Sequence, residues 1–176
     1  MSYLPAPNYI ETIAWKYPTL HVSCADDPML YDSINWMGEI AITKTQLDVD
    51  QFELYKSKIS DRIRKDATVQ RFKRTNMVLG TDDPEQIRTY EEKNDEAVAY
   101  AADNLAPTPI MTAETSHTGE SVDGLAPMVV TQYAAAKVAL RTMFGNIEGE
   151  RRRSLYIIGL YTTLTQLEAY PGPNWT

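Results

Sequence analysis

His21, Cys24, Asp26 and Asp27 fall within one short stretch, and all four are metal-ligand types. A tetrahedral zinc site needs four well-placed donors, and here there is only one cysteine and one nearby histidine. The other histidine, His117, is far along the chain. The stretch therefore reads as a strand with a small buried thiol, followed by a polar turn. A second group, Glu114, Ser116 and His117, combines a carboxylate, a hydroxyl and a base. Neighbouring positions on one segment do not make a triad, in which a scaffold places the base and its orienting acid. A lone Glu-x-x-His also lacks the further ligands that a di-iron centre draws from other helices. Glu91, Glu92, Asp95 and Glu96 have no glycine-pivoted loop of alternating ligands, and the eight glycines are too scattered to cradle a phosphate. No catalytic residue, metal site, cofactor or small-molecule substrate is expected.

The totals frame the elements that would position any site. The 176 residues suit one domain, or a small domain with an extension. A formal charge of −7 argues against general nucleic-acid binding, which needs net positive charge to displace counterions. The single Cys24 excludes an internal disulfide. The first residues lack the basic start and apolar run of a signal peptide. The apolar stretch Leu155–Tyr161 is far short of the roughly 20 residues that span a bilayer, so no membrane partner is expected.

The spacing of Ile10, Ile13, Ala14 and Tyr17 predicts a short helix from Asn8 to Lys16, ended by Pro18. Alternation in residues 20–24 and 31–38 predicts two strands around an Asp-Asp-Pro turn. A helix with Thr45 as its N-cap follows, its stripe being Phe52, Tyr55, Ile59 and Ile63. Residues 84–104 read as an acidic helix and residues 105–127 as a Pro/Thr/Gly-rich loop. Val129, Tyr133, Ala136, Leu140, Met143 and Ile147 then form a heptad-like seam that fails at Glu150 and Ser154. Two helices joined at residues 145–149 are favoured over one long helix. The fold expected is mainly α with a small N-terminal β-hairpin, its helices joined by the long loop. The segments are a helix-hairpin-helix module (1–66), a charged helical region (67–104), a linker arm (105–127) and a helical pair with an extended tail (128–176).

Charge is arranged in blocks. Residues 56–74 hold eight basic and two acidic side chains, and residues 81–103 hold eight acidic and two basic. Interleaved Phe72 could stack on a nucleic-acid base. The simpler reading of blocks with balances of +6 and −6 is two helices whose charged faces meet, within one subunit or between subunits. Arg151, Arg152 and Arg153 would crowd the positive end of a helix starting near Glu150, which an acidic partner would relieve. In a longer helix they would lie in mid-course, where that objection disappears.

A helix ending in Trp15-Lys16-Tyr17-Pro18, two strands about an acidic turn with Ile34-Asn35-Trp36 in the second, and a helix opened by Thr43 to Leu47 form one pattern. It resembles the small N-terminal module of tail-associated bacteriophage proteins such as the XkdW-like proteins. The matching positions are Ala14, Tyr17, Pro18, Ile34, Trp36, Thr43, Thr45 and Leu47, within residues 8–55. The chain departs from the pattern in its long acidic turn, in having no proline before the second helix, and in everything beyond residue 66. The resemblance implies a non-enzymatic virion or tail-region structural subunit. It would be made in the host cytoplasm, reside in the virion, and bind copies of itself or other virion proteins.

Eleven tyrosines and three tryptophans suit such contacts. Trp15 and Trp36 are expected to pack the first helix on the hairpin, with Ile13, Tyr17 and Ile34 completing that core. Arg151, Arg152, Arg153, Tyr170 and Trp175 are the expected partner contacts. The alternatives are an assembly chaperone or scaffold absent from the finished particle, and a small helical metal protein or enzyme using His21 or His117.

Overall fold

The computed structural model describes residues 2–24, 26–37 and 42–175. In chain order the elements are α1 (Tyr9–Lys16), β1 (Ser23–Cys24), β2 (Ile34–Asn35), α2 (Lys44–Leu79), α3 (Pro84–Ala102), α4 (Pro109–Thr118), α5 (Val122–Leu160) and α6 (Leu164–Glu168). The protein is thus mostly helical with a small antiparallel hairpin near its N-terminus, the fold class the sequence implied. The expected strand ends at residue 38 and the link to α2 fall partly outside the described residues. The chain divides into two units, Thr68–Glu148 and the described residues on either side of it.

α1 starts where a capping box closes it. The Asn8 side chain accepts from the Glu11 N–H at 2.8 Å, and Glu11 accepts from the Asn8 N–H at 3.2 Å. Tyr9 and Ile13 are buried against Ile34 and Leu47, with Tyr17, Tyr31 and Trp36 packed around them. Trp15 does not join them and is 45% exposed. It sits two positions beyond Ile13, about 200° further round the helix, and Lys16 lies over its ring at 5.3 Å. Tyr9, in its place, meets Tyr31 edge to face at 6.2 Å.

The hairpin is shorter than the alternation implied. Only Ser23 pairs with Asn35 and Cys24 with Ile34. Residues Tyr31–Ser33 form a 3-10 turn instead of strand. Asp27 takes up the connection: its side chain accepts from the Met29 N–H and its carbonyl from the Leu30 N–H.

α2 begins two residues earlier than a Thr45 cap would set it. The Thr43 side chain accepts from the Gln46 N–H at 3.2 Å and its carbonyl from the Leu47 N–H. The helix then runs for 36 residues and ends at Gly80, whose φ of +70° suits glycine. Its buried stripe is Leu47, Asp50, Gln51, Leu54, Tyr55, Ile59, Ile63 and Ala67, with Phe52 half-buried beside it.

Residues 105–127 are largely helical, against the expected loop. Pro109 stands in the first turn of α4, where its missing N–H costs nothing, and Gly119 closes the helix in the left-handed conformation. The residues that suggested a loop are the punctuation of a helix. The Glu96 carboxylate accepts from the N–H groups of Ile110 and Met111 at 3.0–3.1 Å, supplying the cap that the Thr108 side chain does not.

α5 is one helix of 39 residues, with no break at Gly145 or Gly149. The expected failure of the seam is a polar stitch. Ser154 is buried and donates to Glu150 at 3.2 Å. Glu150 also accepts from Arg153 and from the Asn174 N–H at 2.9 Å, which ties the tail to α5. Arg151, Arg152 and Arg153 therefore lie in mid-helix, clear of the dipole's positive end. Lys56 reaches the other end of α5 and donates to the carbonyls of Gly159 and Tyr161 at 2.9 and 3.2 Å.

The main core of this flanking unit is Tyr55, Ile59, Ile63, Ile158, Leu167 and Tyr170. The N-terminal arm and the tail pack on it together: the Tyr3 N–H donates to the Tyr170 carbonyl, and the two rings meet edge to face at 5.7 Å. Gly172 has φ +95°, and a Cβ there would lie 2.7 Å from Cδ2 of Tyr3. The substitution Gly172→Ala is accordingly expected to cost roughly 2 kcal/mol, through left-handed strain plus displacement of the Tyr3 ring. A urea titration of both proteins measures it, and an unchanged midpoint would show that the tail does not need this contact.

Tyrosine hydroxyls recurrently donate to aspartates: Tyr3 to Asp66, Tyr9 to Asp48, Tyr17 to Asp50 and Tyr100 to Asp123. Burial and the bond to Asp66 push Tyr3 well above the usual phenol range. Burial and Asp48 raise Tyr9, whereas Tyr17 and Tyr100 are raised first by their hydrogen-bonded carboxylates. A raised folded-state value means that the stabilisation is fully present below the unfolded phenol value of about 10 and is lost as pH rises towards the folded values. Denaturant midpoints should therefore fall above about pH 10, with tyrosinate absorbance appearing together with loss of helical circular dichroism. Full phenol ionisation near pH 10 in a still-folded protein would contradict these bonds.

Candidate assembly interface

The Thr68–Glu148 unit has a small core, Ala97, Met111, Leu125 and Ala126, with Tyr100, Val122, Val129 and Val130 against it. Much of the α5 seam lies beyond this cluster. Tyr133, Ala136, Leu140, Met143 and Phe144 are only half-buried, although Ile147 is buried. A groove of about 300 Å³ opens beside the seam, lined by Val78 and Leu79 of α2, Tyr90 and Lys93 of α3, and Val129, Gln132, Tyr133 and Ala136 of α5. A second hollow of about 260 Å³ shares Leu79, Tyr90, Tyr133 and Ala136 and continues past Ile87, Leu140 and Phe144.

The walls of this groove are aromatic and aliphatic, and its rims are charged. Glu91, Lys137 and Arg141 line the second hollow. Burial, and then the carboxylates of Glu91 and Asp95, raise the Tyr133 phenol above its usual range. Lys137 lies over the Tyr133 ring at 5.5 Å. Lys93 is drawn to Glu114 of α4. An open apolar trough of this kind, with a mixed polar rim, has the chemistry of a protein-binding surface.

The residues singled out for chemistry do not converge. His21 is exposed ahead of β1, Cys24 is half-buried within it, and Asp27 is used in the turn. Glu114, Ser116 and His117 share α4: Glu114 pairs with Lys93, and the Ser116 hydroxyl donates to the Ala113 carbonyl at 2.6 Å. Among the described residues, no group of three His, Cys, Asp or Glu is placed to hold a metal ion. No described helix is long and apolar enough to cross a membrane.

The expected partner contacts are redistributed too. Tyr170 is 3% exposed and belongs to the core, its ring between Tyr3 and Tyr161. Trp175 is half-buried on the same core, because the tail is stitched down through Asn174. Arg152 and Arg153 are exposed, and Arg153 pairs with Glu150 at 3.2 Å. Ile13 and Ile34 are buried in the N-terminal core, with Tyr17 and Trp36 packed against it. In the basic run, Lys58 pairs with Glu11, Arg62 with Asp66, Arg64 with Asp61 and Arg71 with Glu148. None of these four carboxylates belongs to the acidic run 81–103.

Comparison with known protein families, with curated proteins and with solved structures gives no match.

Proposed function

We propose that the chain is a structural subunit of a bacteriophage virion, in the tail region, whose work is to bind other polypeptide chains without transforming a substrate. The half-covered α5 seam and its groove carry the assembly part of this reading. A soluble chain gains by burying such a surface, at roughly 25 cal/mol per Å² of apolar area. The resemblance of residues 8–55 to tail-associated phage proteins supplies the setting.

Quantitative mass spectrometry of purified particles tests the proposal. The chain should be present at a fixed ratio to the tail proteins and should survive a high-salt wash. Abundance in the infected lysate with absence from washed particles would replace the reading with an assembly chaperone.

A further inference from the structure

The two hollows beside the seam share Leu79, Tyr90, Tyr133 and Ala136 and so form one trough within the Thr68–Glu148 unit. Along α5 its lining runs from Val129 to Phe144, a length of about 22 Å, or about four helical turns. Its rims are not alike. Lys137 and Arg141 are exposed one turn apart on the α5 rim, and among the described residues no carboxylate pairs with either. Lys93, the third cation of the lining, is held by Glu114. Glu91 is the lining's single acid and lies on the α3 rim, with Asp95 one turn further along that helix. The α5 rim is thus left with two positive charges that the unit does not neutralise.

We propose that the trough receives an amphipathic helix of a different protein, its apolar stripe on Leu79, Tyr133 and Ala136 and an acidic flank against Lys137 and Arg141. The inference rests on the assembly reading and deepens it by naming the partner's chemistry. The walls, α2, α3 and α5, are helical and offer no strand edge. An incoming strand would leave its N–H and C=O groups unpaired there, whereas a helix satisfies its own. Carboxylates at i and i+4 of a helix lying along α5 repeat every 6 Å or so, about the spacing of Lys137 and Arg141, so both cations can be met at once. Glu91 on the opposite rim repels that flank, which fixes the direction in which the occupant lies. A second copy does not supply such a helix. The acidic helix of this chain is α3, already a wall of the trough, and residues 68–80 of α2 carry Arg71, Lys73 and Arg74 and no acid.

Fluorescence anisotropy of labelled synthetic peptides with the full chain tests this. The probe is a helical peptide of about 18 residues with leucines at i, i+3, i+4 and i+7 spacing and glutamates along one flank, and its control carries lysines in place of the glutamates. The glutamate peptide should bind about tenfold or more tightly than the control at about 50 mM salt, with the gap narrowing at about 1 M. Lys137→Glu combined with Arg141→Glu should reverse the preference and leave the thermal melt unchanged, because both side chains are exposed. Ala136→Arg should fill the trough and abolish binding of both peptides while helical circular dichroism is retained. Equal binding of the two peptides, or binding of neither at millimolar concentration, would overturn the proposal, and if the chain is still found in particles the assembly reading stands. A concentration-dependent dimer broken by Ala136→Arg would overturn it in favour of a second copy. Selective binding of the glutamate peptide by a chain absent from washed particles would support this occupant while the virion reading fails.

Discussion

Truncating Tyr55 to alanine is expected to lower the unfolding free energy by about 3–5 kcal/mol, the range for removing a large ring from a packed core. Tyr55 is fully buried at the centre of the flanking unit's core, between Ile59 and the α5 and α6 residues Ile158 and Leu167. Its hydroxyl donates to the Leu4 carbonyl and lies 2.8 Å from the Ser2 hydroxyl, so the same side chain fastens the N-terminal arm. The two roles separate experimentally. Tyr55→Phe keeps the ring and should cost only about 1 kcal/mol, while loosening residues 2–6 to proteolysis. Guanidinium titrations of the two variants measure the difference. Equal losses for both would mean that the hydroxyl, and not the ring, holds this core.

Asp50→Ala is expected to cost about 1.5–3 kcal/mol, because it removes a buried carboxylate on which partly exposed side chains converge. Asp50 is 1% exposed and accepts from the Tyr17 hydroxyl at 2.7 Å and from Gln46 at 3.1 Å, with Lys16 at 3.7 Å. Loss of the carboxylate leaves the Tyr17 hydroxyl and the Gln46 amide without their acceptor. Lys16 retains Glu53 at 2.8 Å, which limits its share of the loss. A double-mutant cycle with Tyr17→Phe should recover part of the cost, since the orphaned hydroxyl is then gone. Full additivity of the two substitutions would rule out the bond as the source of the effect.

Acid should act on neighbouring parts of the same unit. Burial would raise Asp48, but hydrogen bonds from Lys44 and Tyr9 outweigh it and hold the carboxylate below its usual range. Burial likewise opposes, and Asn174, Arg153 and Ser154 reverse, the shift at Glu150. Both carboxylates therefore contribute stability above the unfolded value of about 4, and this contribution is lost as pH falls through the lower folded values. Stability should then be greatest between this acid edge and the tyrosine edge above about pH 10. A melting temperature that rises between pH 5 and pH 3 would contradict the assignment.

Helix periodicity carried most of what the sequence disclosed. Tyr55, Ile59 and Ile63 recur at helical spacing and are core, and the helix expected from Asn8 to Lys16 is α1. Local pattern is ambiguous where one residue type serves two structures. Pro109 and Gly119 punctuate a helix as readily as a loop, and only the Glu96 carboxylate, 14 residues before Ile110, decides between them. Gly145 and Gly149 suit a turn by type, yet α5 runs unbroken through both. Trp15 suits a core by its type, but its position on the helix leaves it 45% exposed. The tyrosine–aspartate bonds join residues 23–63 positions apart, beyond the reach of any local pattern.

The candidate interface was half legible. The α5 seam stood out from its spacing, but its coverage depends on how α3 and the end of α2 pack. The clue was the core stripe of α2 stopping at Ala67 while the helix and its apolar residues continue to Leu79.

The claim that this unit exists to be covered by protein is tested most directly by hydroxyl-radical footprinting of the dilute chain against the chain within purified particles. Tyr90 and Tyr133 should be reactive when the chain is alone and protected in the particle. Equal reactivity of both residues in both states, with protection confined to residues outside 68–148, would contradict it.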